Sequence, residues 1–107
     1  MTFNEVLTAN RSKAIQALMA RAATLNRMAK TVARAGDRRR LYERKTETIS
    51  WLMVLGGGRV SEILLEQGLA TVSLLNGRRL HVPINRLSPE AREIVWARLQ
   101  ERLTGVS

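Results

Sequence analysis

Through residues 70–84 apolar and polar side chains take turns, the pattern of strands with one buried and one wet face. Ala70, Val72 and Leu74 alternate with Thr71 and Ser73, and Leu80, Val82 and Ile84 alternate with Arg79, His81 and Pro83. Asn76-Gly77 lies between the two runs and readily takes the positive φ angles of a two-residue type I′ turn, so the stretch predicts a hairpin. Pro83 cannot donate to a ladder, which predicts a sheet edge or a strand end. Ahead of the hairpin, residues 59–66 read as a further strand and Gln67-Gly68 as a turn. Behind it, Ser88-Pro89-Glu90 supplies an N-cap hydroxyl, a proline at the first helical position and a first-turn carboxylate. A helix is therefore predicted from Pro89 to about Leu103, with Ala91, Ile94, Val95, Leu99 and Leu103 inward and Arg92, Glu93, Arg98, Glu101 and Arg102 outward. Gly105 closes it.

The opening half has the other period. Thr2 followed by Glu5 fits a capping box, so a helix can start almost at once. From there Ile15, Leu18, Ala22, Leu25, Ala29 and Val32 recur every three or four residues and form a narrow seam whose alanines permit close approach of a partner. The seam has two possible uses: covering the sheet of the same chain, or pairing with its counterpart in a second copy as a coiled-coil homodimer. Gly36 is a natural residue beyond a helix end and Asp37 a natural N-cap, which predicts a break at 36–37 and an αα-hairpin; one kinked helix is the alternative. Leu41, Tyr42, Ile49, Leu52 and Met53 are the expected buried side of the second helix. Residues 46–55 suit a helix or a strand, because Thr48, Ile49, Trp51 and Val54 are good strand formers. Gly56-Gly57-Gly58 predicts a hinge or tight turn. A phosphate-cradling loop would need a strand before, a helix after and a Lys-Ser/Thr pair.

The run ATVSLLNGRRLHVPINRLSPEAREIV resembles the end of a Sla-type homology domain, a small SH3-like barrel of endocytic adaptors that is common in bacterial proteins. The residues carrying the resemblance are Asn76-Gly77, Val82-Pro83-Ile84, Leu87-Ser88, Glu90 and Glu93, and it covers roughly the C-terminal half. It implies a barrel-like sheet and prefers a strand within residues 46–55. Adaptor members bind short peptide motifs. The segment RKTETISWLMVLGG is similar to the central region of small plasmid-mobilisation accessory proteins, which adds a bacterial or phage, DNA-linked colour. Together these readings predict an α+β chain: a basic helix or helical hairpin over residues 1–55, then a small antiparallel three- to four-stranded SH3-like sheet and a C-terminal helix over residues 56–107.

Charge changes the picture most. The 107 residues carry a net +9, with eighteen Lys and Arg against nine Asp and Glu. Residues 1–45 hold eleven basic side chains and three acidic ones (Glu5, Asp37, Glu43), a net of +8, while residues 46–107 are close to neutral. Between Val6 and Gly36 there is no acidic residue. On a continuous helix Lys13, Arg27, Lys30, Arg34 and Arg38 share one outward strip, and Arg38, Arg39, Arg40, Arg44 and Lys45 follow as a cluster. An unmixed strip points to a polyanion, nucleic acid first and DNA foremost, with an acidic protein or a membrane surface as lesser options. A merely solvated face is the plain alternative. The candidate phosphate-contacting set is therefore these residues with Arg78 and Arg79 at the hairpin tip; the aromatics Phe3, Tyr42, Trp51 and Trp96 are not clustered, which disfavours a single-strand stacking platform.

Other chemistries lack their residues. With no cysteine and one histidine, disulfide scaffolds and Cys or His metal clusters are excluded. His81 has no orienting partner nearby in sequence and the carboxylates are scattered, so no catalytic constellation, cofactor or metal site is expected. Neither a signal-like start nor an apolar run of the roughly 20 residues that cross a bilayer is present, and a cytoplasmic protein is expected. Two functions remain: a nucleic-acid-binding protein, or an interaction module (adaptor, small subunit or inhibitor) that docks its basic helix on an acidic or nucleic-acid-binding surface of a larger complex.

Overall fold

The computed structural model describes residues 2–105. Its first element is helix α1 (Phe3–Thr31), opened by a capping box in which the Thr2 hydroxyl accepts from the Glu5 amide at 3.2 Å and the Glu5 carboxylate accepts from the Thr2 amide at 3.2 Å. Helix α2 (Ala35–Leu55) follows after a short extended link through Val32 and Arg34. The helical hairpin forms, but its corner falls before Gly36 and not at 36–37. Gly36 and Asp37 lie in the first turn of α2, where the aspartate meets the positive end of the helix dipole. The Arg38 guanidinium donates to the Val32 carbonyl at 2.9 Å and ties the corner down.

Along the seam, Ile15, Ala22, Leu25 and Ala29 are buried and α1 packs chiefly on α2. Leu18 and Val32 are half-buried. Ala22 and Ala29, each 1% exposed, let the two backbones come close. The seam is thus occupied within one chain, by a helix and not by the open sheet. Residues 46–55 are helical throughout, and no strand forms there. The burial of Thr46, Thr48 and Ser50 explains how: their hydroxyls donate to the carbonyls of Tyr42 (2.9 Å), Arg44 (2.8 Å) and Thr46 (3.1 Å), so polar, partly β-branched residues enter the interior without orphaned oxygens. Ile49, Leu52 and Met53 are buried as expected, whereas Leu41 is half-buried and Tyr42 is exposed. Tyr42 fails the expectation because its side of α2 faces a groove rather than a partner helix.

Gly56, at φ 87°, ends α2, and Gly57 donates to the Leu52 carbonyl at 2.8 Å. A Cβ on Gly57 would come within 2.6 Å of Ile15 Cγ2, so the glycine lets α1 close against the chain reversal. Three antiparallel strands follow in the order β1 (Gly58–Leu64), β2 (Leu69–Leu74), β3 (Arg79–Pro83). The first is shorter than residues 59–66, because Leu65–Gln67 turn as a 3-10 helix. A bulge at Ser61 interrupts β1, and its carbonyl accepts from the Arg102 guanidinium at 2.7 Å.

The hairpin loop is not type I′. Only Gly77 has positive φ (86°), the Gly77 amide donates to the Leu74 carbonyl, and the Leu74 amide donates to the Arg78 carbonyl. Leu75, Asn76 and Gly77 therefore form a three-residue loop. The faces dictate this. Val72 pairs with Leu80 and Ala70 with Val82 in the observed register, whereas a two-residue loop would have set Leu74 against Arg79. Pro83 ends β3 on a sheet edge, as expected.

Helix α3 (Pro89–Leu103) is capped by the Ser88 hydroxyl, which accepts from the Ala91 amide at 3.3 Å, while the Ser88 amide donates to the Ser50 hydroxyl at 3.1 Å. Ala91 and Val95 are fully buried, but Ile94 (37%) and Leu103 (78%) are exposed, contrary to their expected inward placing. Helix α3 packs on α2 and β1 through a narrow line that leaves Ile94 exposed, and Arg92 and Arg98, expected outward, are half-buried. One core cluster joins both halves of the chain, from Ile15, Ala22, Ile49 and Leu52 to Val60, Val72, Val82 and Val95.

Candidate functional site

The first three turns of α2 run beside the β3 edge, and between them lies a groove of about 640 Å³. Its α2 wall carries Arg38, Arg39, Tyr42, Glu43, Lys45 and Thr46; the facing side carries Leu69, His81, Pro83 and Arg86. The groove is basic at its rim and apolar along its floor. His81 is fixed by Thr71, whose hydroxyl oxygen lies 3.0 Å from Nδ1. Arg86 and Glu43 form an exposed ion pair at 3.5 Å, worth little in water.

Lys45 is the least ordinary cation of the molecule. It is 8% exposed, its ammonium donates to the Asn26 side-chain carbonyl of α1 at 3.1 Å, and it stands 5.3 Å from the centre of the Tyr42 ring. Burial pushes its pKa below the ordinary lysine value, and the charges of Lys30 and Arg78 add to the shift. Three elements thus bring cations towards one point. Lys45 itself, placed at sequence level among exposed phosphate contacts, is instead part of the inner wall of the groove, since a lysine held by Asn26 of α1 and set beside the tyrosine is largely withdrawn from bulk solvent.

The other candidates divide by face. Arg38 and Arg39 border the groove; Arg40 and Arg44, two residues on from that face in the 100° helical rotation, are exposed on the far side of α2. Lys13, Arg27 and Lys30 are exposed on α1, and Arg34 is the exposed N-cap of α2. The single strip expected from continuous helical numbering is therefore broken at the hairpin corner. Arg78 and Arg79 are exposed at the hairpin tip. Among the described residues the ion pairs are Arg86–Glu43 and Arg98–Glu101, and neither uses one of the eleven basic side chains of residues 1–45.

Sequence reasoning missed Asn26, Leu69, His81, Pro83 and Arg86 as members of one site, because only the fold brings those separated positions together. Tyr42 carried a signal of its own, an aromatic set inside the basic run RRRLYERK. Among the described residues no three of the His, Asp and Glu side chains gather as metal ligands, and no helix is long and apolar enough to cross a membrane. No protein-family model, curated protein or solved structure matches the chain.

Proposed function

We propose that this protein binds nucleic acid, DNA foremost, and acts by binding rather than by catalysis. Phosphates meet Arg38, Arg39 and Arg34 beside the groove, Lys13, Arg27 and Lys30 along α1, Arg40 and Arg44 on the outer side of α2, and Arg78 and Arg79 at the hairpin tip. One observation carries the reading: the cations of the first 45 residues have no internal carboxylate partners among the described residues, so their charge is left for an external anion. Each phosphate contact releases condensed counterions and gives affinity without sequence choice. The likeness of the C-terminal half to a Sla-type domain makes the sheet and α3 the platform in this reading, and the cytoplasm is where such a protein would work.

A second reading, an interaction module docking on an acidic protein surface, is favoured by the apolar floor of Tyr42, Leu69 and Pro83, which phosphate contact alone does not need. Titration of labelled duplex DNA and RNA over a range of salt separates the two. Nucleic-acid binding predicts a steep fall of affinity with salt, and replacing Arg38, Arg39 and Arg40 with Ala lowers the logarithmic slope by up to about 3, roughly one unit per lost contact. An unchanged slope makes that cluster merely solvated, and tighter binding to polyglutamate than to either duplex favours the second reading.

A further inference from the structure

We propose that the groove between α2 and β3 takes one unpaired nucleotide of a single strand, its base against Tyr42 and its phosphate against Arg39, Arg86 and the inner-wall Lys45. The inference rests on the nucleic-acid reading and narrows it to the form of the polymer.

Phosphate contacts on a duplex need only an exposed cation, yet this groove has more. Its volume of about 640 Å³ lies within the range of small-ligand sites, roughly 300–1,000 Å³. Tyr42 is 42% exposed and lines it, with Leu69 and Pro83 extending the apolar surface. A nucleobase offers what such a wall accepts, a flat apolar face with polar edges, and His81 is at hand for an edge. Lys45 has a neutral amide partner in Asn26 and no carboxylate among the described residues, so an anion in the groove would meet a cation not already neutralised. Arg86 is held at the rim by Glu43 and can exchange that exposed partner for a phosphate. Arg34, the N-cap of α2, makes no side-chain cap, so the amides of Ala35, Gly36 and Asp37 at the head of α2 are uncapped by it, while the Arg38 amide donates to the Arg34 carbonyl at 3.1 Å. A base held in a duplex cannot enter without leaving its stack and its pair, so the site selects single strands.

The test uses the whole chain with four labelled probes at one salt concentration: a thymidylate strand, a uridylate strand, an abasic strand of equal length and a blunt DNA duplex. Variants are Tyr42→Leu, which keeps apolar bulk, and Tyr42→Phe, which keeps the ring; the exposure of Tyr42 makes both compatible with folding, checked by circular dichroism. The wild type is expected to bind the base-bearing strands more tightly than the abasic strand and the duplex. Tyr42→Leu should weaken strand binding by about 5- to 150-fold, the value of one stacked base, leave duplex affinity unchanged, and be rescued by Tyr42→Phe. Thymidylate against uridylate reads DNA against RNA. If abasic and base-bearing strands bind alike, or Tyr42→Leu changes nothing while the triple arginine variant still lowers the salt slope, the groove is not a nucleotide seat and the phosphate reading survives alone. If no probe binds, both fall.

Discussion

A lysine ammonium held against two helices and a tyrosine ring destabilises its fold while it remains charged. Unfolded lysine keeps its proton up to about pH 10.5, whereas folded Lys45 releases it lower because burial disfavours the charge. Between those two values the unfolded chain binds more protons, so stability rises with pH across that window. Lys45→Met removes the dependence. At neutral pH the variant is expected to equal or exceed the wild type by up to about 1 kcal/mol, with the gap narrowing as the pH climbs towards 10.5. Urea unfolding of both proteins at neutral and alkaline pH reads that gap, and widening would contradict the burial of Lys45. Two glycines make a paired test of backbone placement. Gly57→Ala forces a Cβ to 2.6 Å from Ile15 and 3.0 Å from Leu52 and should destabilise by about 1–3 kcal/mol. Gly36→Ala, with open space around it in the first turn of α2 and no positive φ, should stabilise by about 0.5–1 kcal/mol. Thermal melts decide both.

At the scale of elements, α1 outreaches its partner. Its 29 residues against 21 in α2 make it longer by about 12 Å at 1.5 Å per residue, and residues 8–14 are all exposed before Ile15 begins the buried seam. An exposed stretch of helix is held less firmly than one packed on a partner. Amide exchange should therefore run at least about 100-fold faster through residues 8–14 than through residues 18–29, and equal protection of the two stretches would contradict the exposure of residues 8–14. Helices α1 and α3, the strands and the Ser88 cap were legible because each follows from local period and capping chemistry, whereas residues 46–55 suited helix and strand alike and only burial in the interior decided for the helix. The corner near Val32 was not legible, since Gly36 and Asp37 suit a helix's first turn as well as its end. Nor was the loop after Leu74, whose length depends on which faces must match across two strands. The groove was least legible of all: Asn26, Lys45, Leu69, His81 and Arg86 share no local pattern, and only the docking of the helical hairpin beside the sheet makes them neighbours.

Over the whole molecule, charge and core are arranged separately. Net charge concentrates in the helical hairpin, while the apolar cluster runs from that hairpin through the sheet to α3. With Ile15, Ala22, Leu25 and Ala29 already facing inward, a second copy would have to meet other surfaces. The melting temperature is accordingly expected to be independent of protein concentration, and Leu25→Asp should unfold the chain at every concentration rather than dissociate it. A melting point that climbs with concentration would restore the seam as an interface between copies.

The bulge at Ser61 bears on what a second strand would meet at the edge of the sheet. The outer border of β1 is kinked, and one of its carbonyls is already engaged by a guanidinium from the last turn of α3. An incoming strand would find the hydrogen-bonding row out of step and guarded by positive charge, a natural protection against fibril-like stacking. The opposite border, shortened by a proline, is left open only towards the groove.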